Sequence, residues 1–196
     1  MSLRIGVLAS QGDFEAHARV LASLGAEPVA VRVPAHLDSL DGLVIPGGES
    51  TTITKALARD GLDEAICGYA AAGGALLGTC AGMIVLDRSH LGLLDVDAER
   101  NAFGRQRHSF EHDLSIGGLG PEPLRAVFIR APWVADRGPE VEVLAEYDGH
   151  PVVVRQGRTL ACSFHPELTD DSRLHAFFMA IAGGDRKGED ATALSE

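Results

Sequence analysis

The chain has 196 residues, 45% of them hydrophobic and 23% charged, with a formal net charge of −11. That length suits one domain of about 100–200 residues, large enough to bury about 70% of its unfolded surface without a disulfide or metal staple. The apolar content excludes global disorder, no stretch approaches the roughly 18 uncharged apolar residues of a membrane span, and 28 acidic against 17 basic residues argue against nonspecific nucleic-acid binding.

In chain order, the first half alternates strand-like and helical patterns. Residues 5–9 (IGVLA) form a short apolar run broken by Gln11-Gly12. Apolar residues then recur at helical spacing over 14–24 (Phe14, Ala18, Leu21, Leu24), with Gly25 as a C′ stop. Residues 28–33 (PVAVRV) and 42–45 (GLVI) read as strands, the latter closed by Pro46-Gly47-Gly48. A helix is expected from near Ser50 and another over 62–72. A fourth strand over 75–78 (ALLG) runs through Thr79-Cys80-Ala81-Gly82 into the apolar segment 83–86. Short, continuously apolar strands separated by helices predict a mostly parallel sheet covered on both faces, a three-layer α/β sandwich.

The second half changes character. Residues 125–130, 141–147, 151–156 and 159–164 read as strands separated by the turn signals Asp148-Gly149 and Gln156-Gly157. Hairpins that continue or flank the sheet are expected. An amphipathic helix over 172–182 closes a single domain spanning residues 1–183, and the polar segment 184–196 reads as a disordered tail. The three cysteines, Cys67, Cys80 and Cys162, have no CxxC spacing, so neither a disulfide framework nor a zinc cluster follows. No signal peptide is evident in MSLRIGVLAS, and a cytoplasmic location is expected. Glycine is in excess, 23 residues, about 12% against a usual share of about 7%.

Several of those glycines fall in motifs that carry chemistry. Gly78-Thr79-Cys80-Ala81-Gly82 follows an apolar strand and precedes an apolar helix, the arrangement of a nucleophile elbow with cysteine as the nucleophile. The tight turn strains the nucleophile's backbone, and small residues two positions either side avoid clashes. The Ala81 amide can donate to an oxyanion. A cysteine nucleophile needs a base and a group that orients the base. Of eight histidines, His17, His36 and His90 sit in surface or loop contexts and read as structural. His165 lies just past an apolar strand, where α/β sheets gather ligands and catalytic groups. Pro166 keeps it out of helical conformation, and Glu167 can turn back to fix its tautomer. The third motif, Pro46-Gly47-Gly48-Glu49-Ser50-Thr51-Thr52, also follows a strand. It matches neither phosphate-binding glycine pattern. Paired glycines suit an oxyanion loop, with the Gly48 amide as second donor and Ser50 as a candidate helix cap.

Together these motifs resemble the class I glutamine amidotransferase family, whose fold is flavodoxin-like. The blocks GVLASQGDFEAH, PGGESTT, GTCAG, ERNAFGRQRHSFE, FIRAP and CSFHPELT, in order over residues 5–169, resemble its glutaminase subunits of pyridoxal 5′-phosphate synthase. One departure is a short connection between the Cys80 helix and His90-Leu91-Gly92-Leu93-Leu94. The resemblance implies Cys80 as nucleophile, His165 as general base and acid, and Glu167 as the residue orienting it. It implies that Gly48, Glu49, Ser50, Arg100, Ile129 and Arg130 bind glutamine, with Gly48 and Ala81 forming the oxyanion hole. Gln11 corresponds to a position at the subunit interface that helps organise the site. The substrate would be L-glutamine, with no metal or organic cofactor. The partner would be a (βα)₈-barrel synthase subunit in a large hetero-oligomer, because a chain of this length has no room for the domain that consumes the ammonia. The rival readings are another amidotransferase glutaminase, such as that of imidazole glycerol phosphate synthase, a PfpI-type cysteine hydrolase, and a non-catalytic interaction module on the same fold.

Overall fold

The computed structural model describes residues 2–9, 13–103 and 109–184. Gln11, the end of the RNAFGRQ motif and the tail beyond Gly184 lie outside the described residues.

The first strand, β1 (Arg4–Leu8), is fully buried but for its first residue. Helix α1 (Phe14–Ser23) starts where the Asp13 carboxylate accepts from the Ala16 amide at 3.1 Å. It stops at Gly25, whose φ of 86° is the left-handed conformation a C′ glycine supplies. β2 (Glu27–Val31) and β3 (Gly42–Ile45) follow, then α2 (Ser50–Asp60), α3 (Leu62–Ala71), β4 (Ala75–Thr79) and the short α4 (Ala81–Leu86). The second half supplies β5 (Val96–Glu99), β6 (Ser109–Leu114), β7 (Leu124–Ile129), β8 (Trp133–Arg137), β9 (Glu142–Tyr147), β10 (His150–Gln156), β11 (Thr159–Cys162) and α5 (Arg173–Gly183).

The main sheet has seven strands in the order β2-β1-β3-β4-β11-β10-β9. β2, β1, β3, β4 and β11 are parallel, while β10 runs antiparallel to both β11 and β9. The first five positions follow the flavodoxin-like order of a doubly wound sheet. Alternate side chains of the strands feed two separate cores. Ile5, Val7, Val44 and Leu77 pack with Leu21 of α1 and Leu174, Phe178 and Ile181 of α5. Leu8, Leu43, Ile45 and Leu76 pack with Ile53, Leu57, Leu62, Ile66 and Met83 of α2, α3 and α4. The result is the expected three-layer sandwich.

The hairpins at Asp148-Gly149 and Gln156-Gly157 form as the sequence predicts. β7 leaves the main sheet and pairs with β6, while β5 pairs with β8. β5, β6 and β8 were not anticipated. Among the described residues no helix is long and apolar enough to cross a membrane.

Candidate active site

The carboxyl ends of β3, β4 and β11, neighbours in the sheet, bring the three motifs to one place. This is the end of an open α/β sheet at which ligands bind. Cys80 joins β4 to α4 with φ 50° and ψ −111°. A non-glycine residue there stores strain of about 1–3 kcal/mol, which the surroundings must hold in place. They do so through the Cys80 amide, which donates to the Cys162 carbonyl at 2.8 Å, and the Cys80 carbonyl, which accepts from the Met83 amide at 3.0 Å. A side chain at Gly82 would run into the Ile45 carbonyl oxygen, and a Cβ at Gly78 would lie 2.7 Å from the Gly82 carbonyl oxygen. Both glycines therefore permit the close turn of the elbow against β3. Ala81 is the first residue of α4, so its N–H has no partner within the helix.

His165 follows β11 and precedes a 3₁₀ turn, Pro166–Leu168. Its ψ of 88° is non-helical, as Pro166 requires. Its amide donates to the Val127 carbonyl at 2.9 Å. Its ring Nδ1 lies 2.8 Å from Glu167 Oε1, which leaves Nε2 for the thiol of Cys80. Burial opposes a positive charge on this ring. Its hydrogen bonds to Cys80 and Glu167, and their charges, outweigh that and push its pKa up to about 10. Burial likewise opposes charge on Glu167, but the hydrogen bond from His165 and the neighbouring His17 and His165 hold its carboxyl below the usual range. The other cysteines behave differently: burial pushes the Cys162 thiol well up, and burial with nearby Asp63 raises that of Cys67.

Gly47 closes the site from β3. A Cβ there would lie 2.6 Å from His165 Cε1 and 3.3 Å from Cys80 Cβ. Gly48 follows at φ 147°, a conformation that side chains rarely allow. Cys80, Ala81, His165, Gly48, Glu49, Ser50, Arg100, Ile129 and Arg130 all line one open cleft of about 200 Å³. That is room for an amino acid rather than a drug-sized ligand. Glu167 sits behind His165, buried. Cys80 Sγ lies 3.7 Å from the Ile129 carbonyl oxygen. Arg130, with φ 44°, and Asn101, with φ 50°, are further non-glycine residues of positive φ on the cleft wall.

Three expectations are corrected. Helix α2 is capped by Glu49 rather than Ser50: the Glu49 carboxylate accepts from the Thr51 and Thr52 amides at 3.2 and 2.8 Å, and Ser50 is buried as the first helical residue. These bonds, that from the Thr52 side chain foremost, hold the Glu49 carboxyl below its usual range. His17 is no surface histidine. It is fully buried on the inner face of α1, 2.9 Å from His175 and 3.3 Å from the carboxylate of Glu167. His90 is more than a loop residue, since its Nδ1 meets Asp87 at 2.7 Å and its Nε2 lies 3.4 Å from Arg100. Arg100 in turn donates to Thr51 Oγ1 at 3.0 Å. Ile84, Asn101 and Pro132 also line the cleft. The sequence had no signal for Ile84, whereas Asn101 lies within the RNAFGRQ block and Pro132 closes the FIRAP block.

Residues 7–182 match the SNO glutamine amidotransferase family. The pyridoxal 5′-phosphate synthase subunit PdxT of Niallia circulans is 52% identical over 184 residues, 90% of this chain and 96% of that protein. The subunit of the same name from Thermotoga petrophila is 47% identical over 186 residues, covering 91% and 99%. A crystal structure described as a glutamine amidotransferase superposes with a TM-score of 0.87 at 48% identity, covering 92% of this chain and 99% of that one. On this agreement of sequence, fold and site, the chain belongs to the SNO glutamine amidotransferase family.

Proposed function

We propose that the chain is a glutaminase, which hydrolyses L-glutamine to L-glutamate and ammonia and supplies the ammonia to the synthase subunit of pyridoxal 5′-phosphate synthase. The observation that carries the reading is the Cys80–His165–Glu167 line at the floor of an amino-acid-sized cleft, in a chain about half identical to named synthase subunits.

Cys80 is the nucleophile. Its thiolate attacks the side-chain carboxamide carbon of glutamine, and the carbonyl oxygen becomes an oxyanion. The amides of Gly48 and Ala81 receive that charge; a single such donor is worth about 10²–10³ in rate. The His165 imidazolium gives its proton to the departing nitrogen, and ammonia leaves as the glutamyl thioester forms. The neutral ring then takes a proton from water, whose oxygen attacks the thioester. Glutamate leaves, the thiolate returns and His165 is again protonated. Glu167 holds the ring in one tautomer throughout and stabilises its charge. Arg100, Ile129, Arg130, Gly48 and Ser50 hold the substrate. Glu49 contributes by fixing the first turn of α2, because its carboxylate is engaged as the cap.

The ammonia is consumed by a partner, proposed as a (βα)₈-barrel synthase in a large hetero-oligomer, with Gln11 at the interface. The test is an assay of the chain with and without that subunit. Glutamate should form in equal amount with ammonia, faster with the synthase present. Undiminished turnover by Cys80→Ala would refute the assignment of the nucleophile.

A further inference from the structure

We infer that His17 and His175 are positioning residues that carry the Cys80–His165–Glu167 line into the protein and hold Glu167 through its second carboxylate oxygen. The inference deepens the glutaminase reading and rests on it for the substrate.

Glu167 gives one oxygen, Oε1, to His165 at 2.8 Å. Its other oxygen, Oε2, is buried and makes no well-formed hydrogen bond among the described residues. His17 Nε2 stands 3.3 Å from that oxygen and 3.3 Å from Thr79 Oγ1. On the far side of its ring, His17 Nδ1 meets His175 Nε2 at 2.9 Å. Neither histidine has any exposed surface. Helix α1, helix α5, the end of β4 and the 3₁₀ turn thus converge on one carboxylate. Simple packing does not call for this arrangement, because burying polar rings is costly and apolar side chains of similar volume fill such space at least as well.

The geometry also fixes the protons. If His175 donates from Nε2, His17 accepts at Nδ1 and carries its own N–H on Nε2, facing Glu167 and Thr79. His175 Nδ1 is then a bare lone pair, and it is indeed the buried ring nitrogen without a partner. The reverse order would leave a buried N–H unsatisfied and set a lone pair of His17 against a carboxylate, which is the more expensive arrangement. Both rings stay neutral. Burial pushes the pKa of each down, that of His175 to about 3. The charged and titratable groups facing His17 are Glu167, His165, His175 and, on its own helix, Asp13. His17 is therefore a neutral donor that anchors Glu167, and through Glu167 it sets the orientation and charge of His165.

The test combines nitrogen-15 NMR of histidine-labelled chain with glutamine turnover in the presence of the synthase subunit. In the unmodified chain His17 and His175 should both be Nε2–H tautomers at neutral pH. In His17→Phe the titration of His165 should move to lower pH, and kcat should fall about tenfold or more with KM little changed, the usual size for loss of an orienting partner. His17→Gln keeps a donor at that place and should recover much of both effects. An Nδ1–H tautomer of His17 in the unmodified chain would overturn the inference. So would a folded His17→Phe whose His165 titration and kcat match the unmodified chain. If His17→Phe does not fold, the tautomers and His17→Gln decide. If the unmodified chain hydrolyses no glutamine even with the synthase, the glutaminase reading fails while the NMR results still decide the role of His17.

Discussion

The reactivity proposed for Cys80 rests on what surrounds one sulfur atom. The strained turn holds it at the cleft, and His165 and Glu167 lie behind it. Cys67 and Cys162 lack that company, and burial raises both of their pKa values. A glutamine analogue with an alkylating group should therefore label Cys80 and spare the other two, as read by mass spectrometry of peptides. Substantial labelling of Cys67 or Cys162 would contradict this. Cys80→Ala should lose glutaminase activity while keeping its unfolding temperature or raising it, since alanine removes no buried hydrogen-bond partner essential to the fold. The histidines make opposite contributions to stability. His175 is held to about 3 and His17 is also lowered, whereas in the unfolded chain both titrate near 6.5. Between these values the unfolded state binds more protons, so stability rises with pH up to about 6.5 and falls below it, by at most about 1.4 kcal/mol per pH unit for each histidine. His165, raised to about 10, has the other sign. Its contribution is complete below about 6.5 and is lost as pH rises through about 10. Urea unfolding of His175→Gln should give a shallower slope of stability against pH on the acid side than the unmodified chain. An unchanged slope would mean that His175 is not held neutral.

At the scale of elements, glycine turns a strand end into a site. The β4–α4 elbow closes against β3 only because Gly82 has no side chain to meet the Ile45 carbonyl. Gly82→Ala must push backbone against backbone, so it should cost about 1–3 kcal/mol and displace Cys80, lowering both the unfolding temperature and activity. A variant of unchanged stability would show that the turn has room to spare. The same elements show what the sequence makes legible. β3 and β4 are unbroken apolar runs bounded by glycine or proline, and the sequence places both to within a residue. β5, β6 and β8 present mixed faces, mostly exposed at one end or throughout. They have neither an apolar run nor a clean alternation, so no periodicity betrays them. Ser50 is the commoner capping residue type, yet the reach of the Glu49 side chain decides the cap. His17 falls on the apolar face of α1, three residues after Phe14 and four before Leu21, but nothing local reveals its partner His175, 158 residues away in sequence.

For the whole molecule, the sheet order explains why distant motifs cooperate. β3, β4 and β11 are neighbours, so Gly47, Cys80 and His165 meet although more than a hundred residues separate the first from the last. The glycine excess is not merely loop content: Gly47, Gly48, Gly78 and Gly82 shape the cleft and its elbow. Two cores pack on either side of the sheet whose strand ends carry the site, and Arg100 and Arg130 line the cleft. In the proposed function, glutamine nitrogen passes from Cys80 chemistry into pyridoxal 5′-phosphate made by the partner. This transfer is tested most directly by reconstituting the chain with the synthase subunit, its sugar phosphate substrates and glutamine labelled with nitrogen-15 in the side-chain amide. The label should appear in pyridoxal 5′-phosphate and should be lost with Cys80→Ala, while free ammonia restores product formation. Unlabelled product, or label transfer that survives Cys80→Ala, would contradict it.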